Sequence, residues 1–135
     1  MLETTTITQE VTIPAKPVQV YDAIINPLKH ATFTGAKATG DPVEGGKFTA
    51  WDGYILGTYV KLQRARQILA EWETTEWPEG YPPSQLQLSF QDSDAGTLVT
   101  MVHSDVPVSQ AEAYRQGWTA YYWTPLKEYF TAPRG

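Results

Sequence analysis

The chain has 135 residues, a net charge of −5, no cysteine and 13% aromatic residues, and we expect residues 1–135 to form a single domain. The lack of cysteine excludes disulfides, thiolate metal sites and a cysteine nucleophile. Acidic residues concentrate in residues 68–135, which have a net charge of −6, so we expect no nucleic-acid partner. These charges would attract a basic protein partner, but a solvated acidic rim that aids solubility is the favoured interpretation.

The first predicted elements are a strand and a helix. Ile7, Val11 and Ile13 recur at even spacings among polar residues, which is typical of a half-buried strand. Pro17 suits the first turn of a helix, because its missing N–H is not needed there. The helix should end at Asn26, since a residue that precedes proline avoids the helical conformation.

A second short helix is predicted over residues 28–33, followed by a loop. His30 lies on this helix, and we expect its side chain to be exposed. Residues 35–46 contain four glycines and a proline, which indicates a loop. The glycines at its end do not form a phosphate-binding loop, because the sequence lacks the G-x-x-x-x-G-K-S/T order and no helix follows.

From residue 47 the pattern predicts a meander of antiparallel strands. Residues 47–51 alternate, Asp52 and Gly53 suit a tight hairpin turn, and residues 54–62 form the returning strand. Gly57 is predicted to be a β-bulge in that strand. We interpret Asp52 as a turn residue rather than as a catalytic acid.

The next strand has two different faces. Ile68, Ala70 and Trp72 share one face and should be buried. Glu71 and Glu73 share the other face, and we interpret them as solvent-facing residues rather than as an acid–base pair.

The last two strands follow a loop. Residues 77–83 contain three prolines, which prevent regular strand pairing. Leu86, Leu88 and Phe90 then alternate with polar residues, and residues 98–104 complete the sheet.

A long C-terminal helix is the strongest prediction from the sequence. Ser109 and Glu112 have the spacing of a capping box at its start. We expect Pro125 to kink the helix and Gly117 to allow close approach of a strand or ring. Large side chains recur every three to four positions, as one buried helix face requires; they are Tyr114, Trp118, Tyr121, Tyr122, Leu126, Tyr129 and Phe130.

The order of strand, two short helices, antiparallel meander and long helix predicts an α+β protein with helices on one face of the sheet. Residues 120–123 are the longest apolar run, far short of the roughly 20 residues that cross a bilayer. Residues 1–6 lack the features of a secretory leader. We therefore expect a cytoplasmic location without membrane insertion.

Few residues could support catalysis or bind a metal. His30 and His103 do not have metal-ligand spacing, so neither a metal site nor a cofactor is predicted. His103 shares a strand face with Val99 and Met101, which favours a structural role. We therefore expect no catalytic residues and a non-enzymatic protein.

The aromatic residues could instead line a cavity for a small hydrophobic ligand, because binding pockets are mostly apolar. A plain aromatic core is the alternative interpretation for each of them. The candidate ligand-binding residues are Phe48, Trp51, Trp72, Phe90, His103, Trp118, Tyr121 and Tyr122.

An ordered series of motifs resembles the C-terminal domain of activators of the heat-shock protein 90 ATPase, in the START-like (SRPBCC) superfamily. It covers residues 3–131 and includes Gly46-Lys47-Phe48, Trp51-Asp52-Gly53, Trp77-Pro78-Glu79-Gly80, Leu86-x-Leu88-x-Phe90 and Gly117-Trp118-x-x-Tyr121-Tyr122. The resemblance implies a helix-grip fold, in which a curved antiparallel sheet wraps around a long C-terminal helix, and no catalytic residues.

The resemblance also implies a co-chaperone-like or stress-related interaction module, with a chaperone ATPase or another protein as partner. Full co-chaperones of this kind have a further N-terminal docking domain, and this chain begins near the first strand, so we do not expect strong ATPase activation. Two alternatives stay open. One is a carrier or sensor of a small hydrophobic ligand; the other is a polyketide cyclase/aromatase-type enzyme with His103 or a tyrosine as acid–base.

Overall fold

Seven antiparallel strands form one sheet in the computed structural model, which describes residues 2–131. Two short helices follow the first strand, and a long helix ends the described chain, as the α+β prediction required. The strands are β1 (Thr4–Ile13), β2 (Thr39–Gly40), β3 (Lys47–Ala50), β4 (Ile55–Gln63), β5 (Gln67–Thr74), β6 (Ser84–Ser93) and β7 (Gly96–Pro107). The helices are α1 (Pro17–Ile25), α2 (Pro27–Thr34), α3 (Val108–Trp118) and α4 (Thr124–Thr131), and a π-helical turn (Thr119–Trp123) joins α3 to α4.

The sheet has the order β1-β7-β6-β5-β4-β3-β2, so the first strand pairs with the last one. Residues of β5 alternate between the two faces of the sheet, and Ile68, Ala70 and Trp72 are buried as predicted. The face that carries these three residues is the core face. The C-terminal helix, which we define as α3, the π turn and α4, packs against β1 and β7. The core therefore lies between one face of the sheet and this helix.

Asn26 separates the two short helices, as predicted. It ends α1, and its Oδ1 accepts hydrogen bonds from the backbone N–H groups of Leu28 (3.0 Å) and Lys29 (3.1 Å). These are two of the N–H groups that the start of a helix leaves without intrahelical partners. Pro27 occupies the first helical position, and Gly35, with φ 79°, ends α2.

The prediction of a β-bulge at Gly57 was wrong. Gly57 pairs regularly with Phe48 on one side and with Trp72 on the other. The irregularity lies between Tyr59 and Lys61 instead. Gly57 is required for a different reason, because a Cβ there would overlap the Phe48 ring and lie 2.5 Å from the Glu71 carbonyl oxygen.

The predicted capping box of the C-terminal helix does not form. Strand β7 continues to Pro107, and α3 begins directly at Val108, whose N–H donates to the carbonyl of Glu3 at 3.2 Å. Ser109 therefore lies inside the first turn, and no side chain of the described residues caps α3. The predicted bond from the Glu112 N–H to the Ser109 hydroxyl is therefore not made, and the residue just before β1 accepts the first N–H of the helix instead.

Pro125 is accommodated by the π-helical turn that precedes it. The Thr124 N–H bonds to the carbonyl of Thr119, five residues back, and α4 then continues through the proline. A wider turn suits this position, because in a regular α-helix the proline ring clashes with the carbonyl four residues earlier. Leu126 is fully buried beyond it, as expected, and Phe130 is half-buried.

The π turn also changes which residues face the core. Such a turn contains more residues than an α-helical one, so the buried stripe shifts by about one position. Trp123 is consequently buried, whereas Tyr121, which was predicted to face inward, is 56% exposed. Tyr122 is buried as predicted.

Gln9 of β1 fastens the π turn to the sheet. Its Nε2 donates to the Arg115 carbonyl at 2.9 Å, and its Oε1 accepts from the indole Nε1 of Trp123 at 2.8 Å. The Thr119 N–H points to the Gln116 carbonyl. The side chain of Gln9 therefore satisfies a carbonyl at the point where the helical hydrogen-bond pattern changes.

Candidate functional site: an aromatic groove beside the C-terminal helix

A groove of about 670 Å³ lies between the C-terminal helix and the start of β4 and end of β5. It opens to solvent, and seven of its twelve lining residues are tryptophan or tyrosine. The lining residues are Trp51, Tyr54, Ile55, Trp72, Ala113, Tyr114, Gln116, Gly117, Trp118, Ala120, Tyr121 and Tyr122. The volume is within the range of small-molecule binding sites.

A strained hairpin turn places Trp51 at the rim of this groove. Trp51 (φ 53°) and Asp52 (φ 59°) both adopt the left-handed conformation, followed by Gly53 (φ 89°). This conformation is unusual for a bulky residue and costs about 1–2 kcal/mol. The Asp52 carboxylate accepts a hydrogen bond from the Lys37 N–H at 3.0 Å, and the Asp52 N–H donates to the Lys37 carbonyl. Asp52 thus holds the turn in place.

Trp51 meets Tyr121 across the mouth of the groove. Their ring centroids are 5.3 Å apart and the rings are nearly perpendicular, at 68°. Tyr121 projects from the helix toward solvent, and Gly117, one turn earlier, leaves space under it. A Cβ at position 117 would lie 3.6 Å from the Tyr121 ring, which is an ordinary contact. Gly117 therefore widens the groove without being required by close packing.

The floor of the groove is built from Trp72, Tyr114 and Trp118. Trp72 stands at 84° to Tyr114, with centroids 5.2 Å apart, and its centroid lies 5.8 Å from that of Trp118. All three side chains are less than one-tenth exposed. Aromatic pairs of this geometry contribute about 0.5–1.5 kcal/mol beyond their buried area, so these contacts stabilise the floor.

His103 lies behind this floor and not in the groove. It is fully buried; the Trp118 Nε1–H donates to its Nδ1 at 3.1 Å, and its Nε2 lies 2.8 Å from the Ser84 hydroxyl. Ser84 in turn donates to the Trp72 carbonyl at 2.6 Å. Because Nδ1 is an acceptor, Nε2 carries the proton. Burial lowers the pKa of His103 to about 3, and both nitrogens are occupied, so His103 cannot serve as an acid–base group toward a ligand in the groove.

The prediction that His30 is exposed was wrong. Its side chain is 9% exposed, because α2 packs against α4. Its Nδ1 lies 2.8 Å from the Ile24 carbonyl and its Nε2 lies 3.0 Å from the Tyr122 hydroxyl. The carbonyl can only accept, so Nδ1 carries the proton and Tyr122 donates to Nε2. Burial lowers the pKa of His30, although the Ile24 carbonyl acts in the opposite direction.

Tyr122 connects this buried histidine with the groove. Burial, and then the neighbouring Tyr59, raise the pKa of its hydroxyl, while the nearby Trp51 indole acts in the opposite direction. Within residues 2–131, the Trp51 Nε1 is buried without a hydrogen bond of normal geometry. A neutral Tyr122 hydroxyl at this position is a structural link between α2 and the C-terminal helix.

Two predicted ligand-binding residues lie elsewhere in the core. Phe48 stacks on Tyr59, with centroids 4.6 Å apart, and covers Gly57. Phe90 meets Tyr21 of α1 edge to face at 5.8 Å. With His103, they form the three candidates outside the groove. The other five line it: Trp51, Trp72, Trp118, Tyr121 and Tyr122.

Sequence reasoning missed Tyr54 and Tyr114, which also line the groove. The sequence places Tyr114 on the buried helix stripe, one turn before Trp118, but not among the candidate ligand-binding residues. Tyr54 follows the Asp52-Gly53 turn directly, so it lies beside Trp51 at the same end of the sheet. No pattern in the sequence distinguishes a lining tyrosine from a packed one.

Polar groups border one end of the groove. The Tyr54 hydroxyl donates to the Glu76 carboxylate at 2.6 Å, and burial, followed by this bond, raises the pKa of Tyr54. The Tyr114 hydroxyl lies 2.7 Å from the Thr74 hydroxyl and also bonds to Gln110. This end therefore combines phenolic hydroxyls with one carboxylate.

The side chains that line the groove are aromatic, small aliphatic or amide groups. In the described part of the chain, no group of three or more histidine and acidic side chains could hold a metal ion. None of the helices in residues 2–131 is both long enough and apolar enough to cross a bilayer. The groove offers ring surfaces, phenolic hydroxyls and an adjacent carboxylate.

Comparisons with known proteins converge on one family. A family model described as "Activator of Hsp90 ATPase homolog 1-like protein" matches residues 14–131. The human activator of 90 kDa heat shock protein ATPase homolog 1 is 31% identical over 129 residues, which cover 96% of this chain and 38% of that relative.

Solved structures show the same fold. An Hsp90 activator from Plasmodium falciparum superposes with a TM-score of 0.82 at 22% identity, covering 98% of this chain and 99% of that one. The Aha1 dimer from Colwellia psychrerythraea gives a TM-score of 0.80 at 17% identity, covering 97% and 99%.

Proposed function

The chain belongs to the family of activator of Hsp90 ATPase homolog 1-like proteins, and we propose that it is a non-enzymatic module that docks on an Hsp90-type chaperone and changes its ATP turnover. The observation that carries this proposal is the family match across residues 14–131. The chain spans 38% of the human relative. We propose that residues 1–135 act as one domain and that the protein is located in the cytoplasm, together with its chaperone partner.

The buried polar groups support a role without catalysis. His30 and His103 are each bonded through both ring nitrogens inside the core. Burial lowers the pKa of both, so they are neutral at physiological pH. A general acid–base catalyst must be able to reach its substrate and exchange a proton with it. Neither histidine does so from its position.

The acidic residues of the sheet support a protein partner. Glu71 and Glu73 alternate with the buried residues of β5, so they lie on the sheet face opposite the C-terminal helix. Glu10 lies on the same face of β1. A surface with this charge would increase the rate of association with a basic patch on the partner, and salt would reduce that effect.

The experiment measures ATP hydrolysis by the purified Hsp90-type chaperone of the source organism with and without the chain. We expect a change in the rate, and a smaller one for the variant Glu71→Gln/Glu73→Gln. The matched control is Asp92→Gln/Asp94→Gln, which removes two charges at the far end of the β6–β7 hairpin. An unchanged rate together with no binding in a titration would refute the proposal.

A second candidate function is that of a carrier or sensor of a small hydrophobic ligand. The groove favours it, since about 670 Å³ of space lies against seven aromatic side chains. Native mass spectrometry of freshly purified protein should show a bound species or a mass shift with added aromatic compounds. A protein that stays free of ligand throughout would refute this second function.

A further inference from the structure

The geometry of the groove points to a specific ligand class, and we propose that it binds a small organic cation with apolar substituents, such as a quaternary ammonium compound. Such a site presupposes the second proposed function, ligand binding in the groove, and narrows its chemistry. It is independent of any chaperone partner.

The rings of the floor and of the mouth of the groove stand at steep angles to one another, and we compare this arrangement with an aromatic cage. Trp72 and Tyr114 meet at 84°, and Trp51 and Tyr121 meet at 68°. Rings at right angles present π-faces from more than one direction. Each face carries the negative part of the ring quadrupole, which attracts a cation within about 6 Å of its centroid. A neutral apolar ligand would gain only the burial of its surface.

The charges around the groove favour a cation as well. The twelve lining residues, all within the described part of the chain, include no lysine, arginine or histidine. The Glu76 carboxylate borders the groove through its bond with Tyr54, and Asp52 follows Trp51 in the rim turn. Arg115, the basic residue of α3, forms an ion pair with Glu112 at 3.4 Å. An anionic ligand would therefore find no cation among the lining residues described here.

The size of the groove favours a free small molecule over a single side chain of a partner protein. A volume of about 670 Å³ is typical of small-molecule sites, which bury most of the ligand. A quaternary ammonium compound such as choline carries a trimethylammonium group, which is weakly hydrated compared with a primary ammonium group. It therefore loses less solvation on entering a groove lined by aromatic rings.

The strained turn under Trp51 agrees with this role. Two consecutive non-glycine residues in the left-handed conformation are unusual, and strain of this kind concentrates at functional sites. The turn places one large ring opposite Tyr121 at the mouth of the groove. A glycine in place of Trp51 would relieve the turn and remove that wall.

The test compares choline with its neutral carbon isostere, 3,3-dimethylbutan-1-ol, by titration into the full chain. Binding is followed through the indole N–H signals in a proton–nitrogen NMR spectrum. We expect choline to bind about tenfold more tightly than the isostere, because only choline gains the cation–π attraction. The indole signals of Trp51, Trp72 and Trp118 should shift, while that of Trp123, which is bonded to Gln9, should not.

Matched variants separate the groove from the rest of the surface. Glu76→Gln and Tyr121→Leu should weaken choline binding severalfold. Glu79→Gln and Tyr81→Leu make the same chemical changes outside the groove and should leave it unchanged. Tyr121 is 56% exposed, so its replacement leaves the core intact.

The outcomes distinguish a cation site from the more general binding of hydrophobic ligands in the groove. Equal affinity for choline and the isostere overturns the cation site and leaves hydrophobic ligand binding intact. If neither probe binds at millimolar concentrations, the proposal of a cation site is overturned. The first proposed function is tested separately, by the chaperone assay. Equal effects of the groove variants and their controls also overturn it.

Discussion

Trp118 donates a hydrogen bond to His103 at 3.1 Å, and this bond joins the C-terminal helix to β7 inside the core. The bond fixes the tautomer of His103, whose Nε2–H donates a hydrogen bond to the Ser84 hydroxyl. Four groups therefore form one chain that ends at the Trp72 carbonyl. The ring that lines the groove is thus positioned by polar contacts from three strands.

Replacing Trp118 by phenylalanine should lower the free energy of unfolding by about 1–3 kcal/mol, because it leaves the buried Nδ1 of His103 without a donor. Urea unfolding measures the change. Trp77→Phe is the matched control, since the Trp77 Nε1 bonds to the Pro82 carbonyl in an exposed loop. Equal losses in the two variants would show that the buried acceptor is not the cause.

Lowering the pH should destabilise the fold through His103. Its pKa is about 3 in the folded protein, against about 6.5 when unfolded. Between these values only the unfolded chain binds the proton, so stability is complete above pH 6.5 and falls as the pH decreases. The expected loss between pH 7 and pH 5 is about 2 kcal/mol from this residue.

Urea unfolding at both pH values of the native chain and of His103→Leu isolates that contribution. The leucine variant lacks the titrating group, so its loss of stability over the same interval should be smaller by about 2 kcal/mol. Burial lowers the pKa of His30 as well, and its contribution remains in both proteins. Identical pH dependence in the two would contradict the assignment.

Two glycine substitutions should have opposite effects. Gly57→Ala should lower the free energy of unfolding by about 1–3 kcal/mol, because the new Cβ overlaps the Phe48 ring and the rigid Glu71 backbone. Gly117→Ala should raise it by up to about 1 kcal/mol, since alanine favours the helix and its Cβ fits beside Tyr121. Thermal unfolding measures both, and the same sign for the two variants would contradict the packing described.

Gln9→Ala should destabilise the attachment of the C-terminal helix, with a loss of about 1–2 kcal/mol. The change removes a donor to the Arg115 carbonyl and an acceptor for Trp123. Hydrogen exchange at the π turn should increase together with the global loss. Thr8→Ala, an exposed change on the opposite face of the same strand, should have little effect on stability. A similar loss in that variant would contradict the stabilising role of the two Gln9 hydrogen bonds.

The elements that sequence patterns predicted correctly are those fixed by local chemistry. Alternation along β5 follows from residues that are two apart, and the break at Asn26 follows from the proline after it. Motif order also identified the family, because it samples the whole chain. In these cases the information lies within a few residues of each element, or in a series that spans them all.

The errors arose where distant parts of the chain decide the outcome. Tyr121 is exposed because a π turn shifts the helix face, and Ser109 lies inside the first turn because α3 begins at Val108, whose N–H bonds to the distant Glu3 carbonyl. His30 is buried because α4 covers α2. Membership of the groove depends on the same long-range packing, so Tyr54 and Tyr114 could not be separated from ordinary core residues.

The two bonds of Gln9 also constrain how the domain folds. The bond between Trp123 and Gln9 joins residues that are 114 positions apart, and β1 pairs with β7, the last strand of the described residues. Neither contact can form until residues near both ends of the described chain have come together. Folding should accordingly be slow for a domain of this size, since its decisive contacts are among the most distant in the sequence.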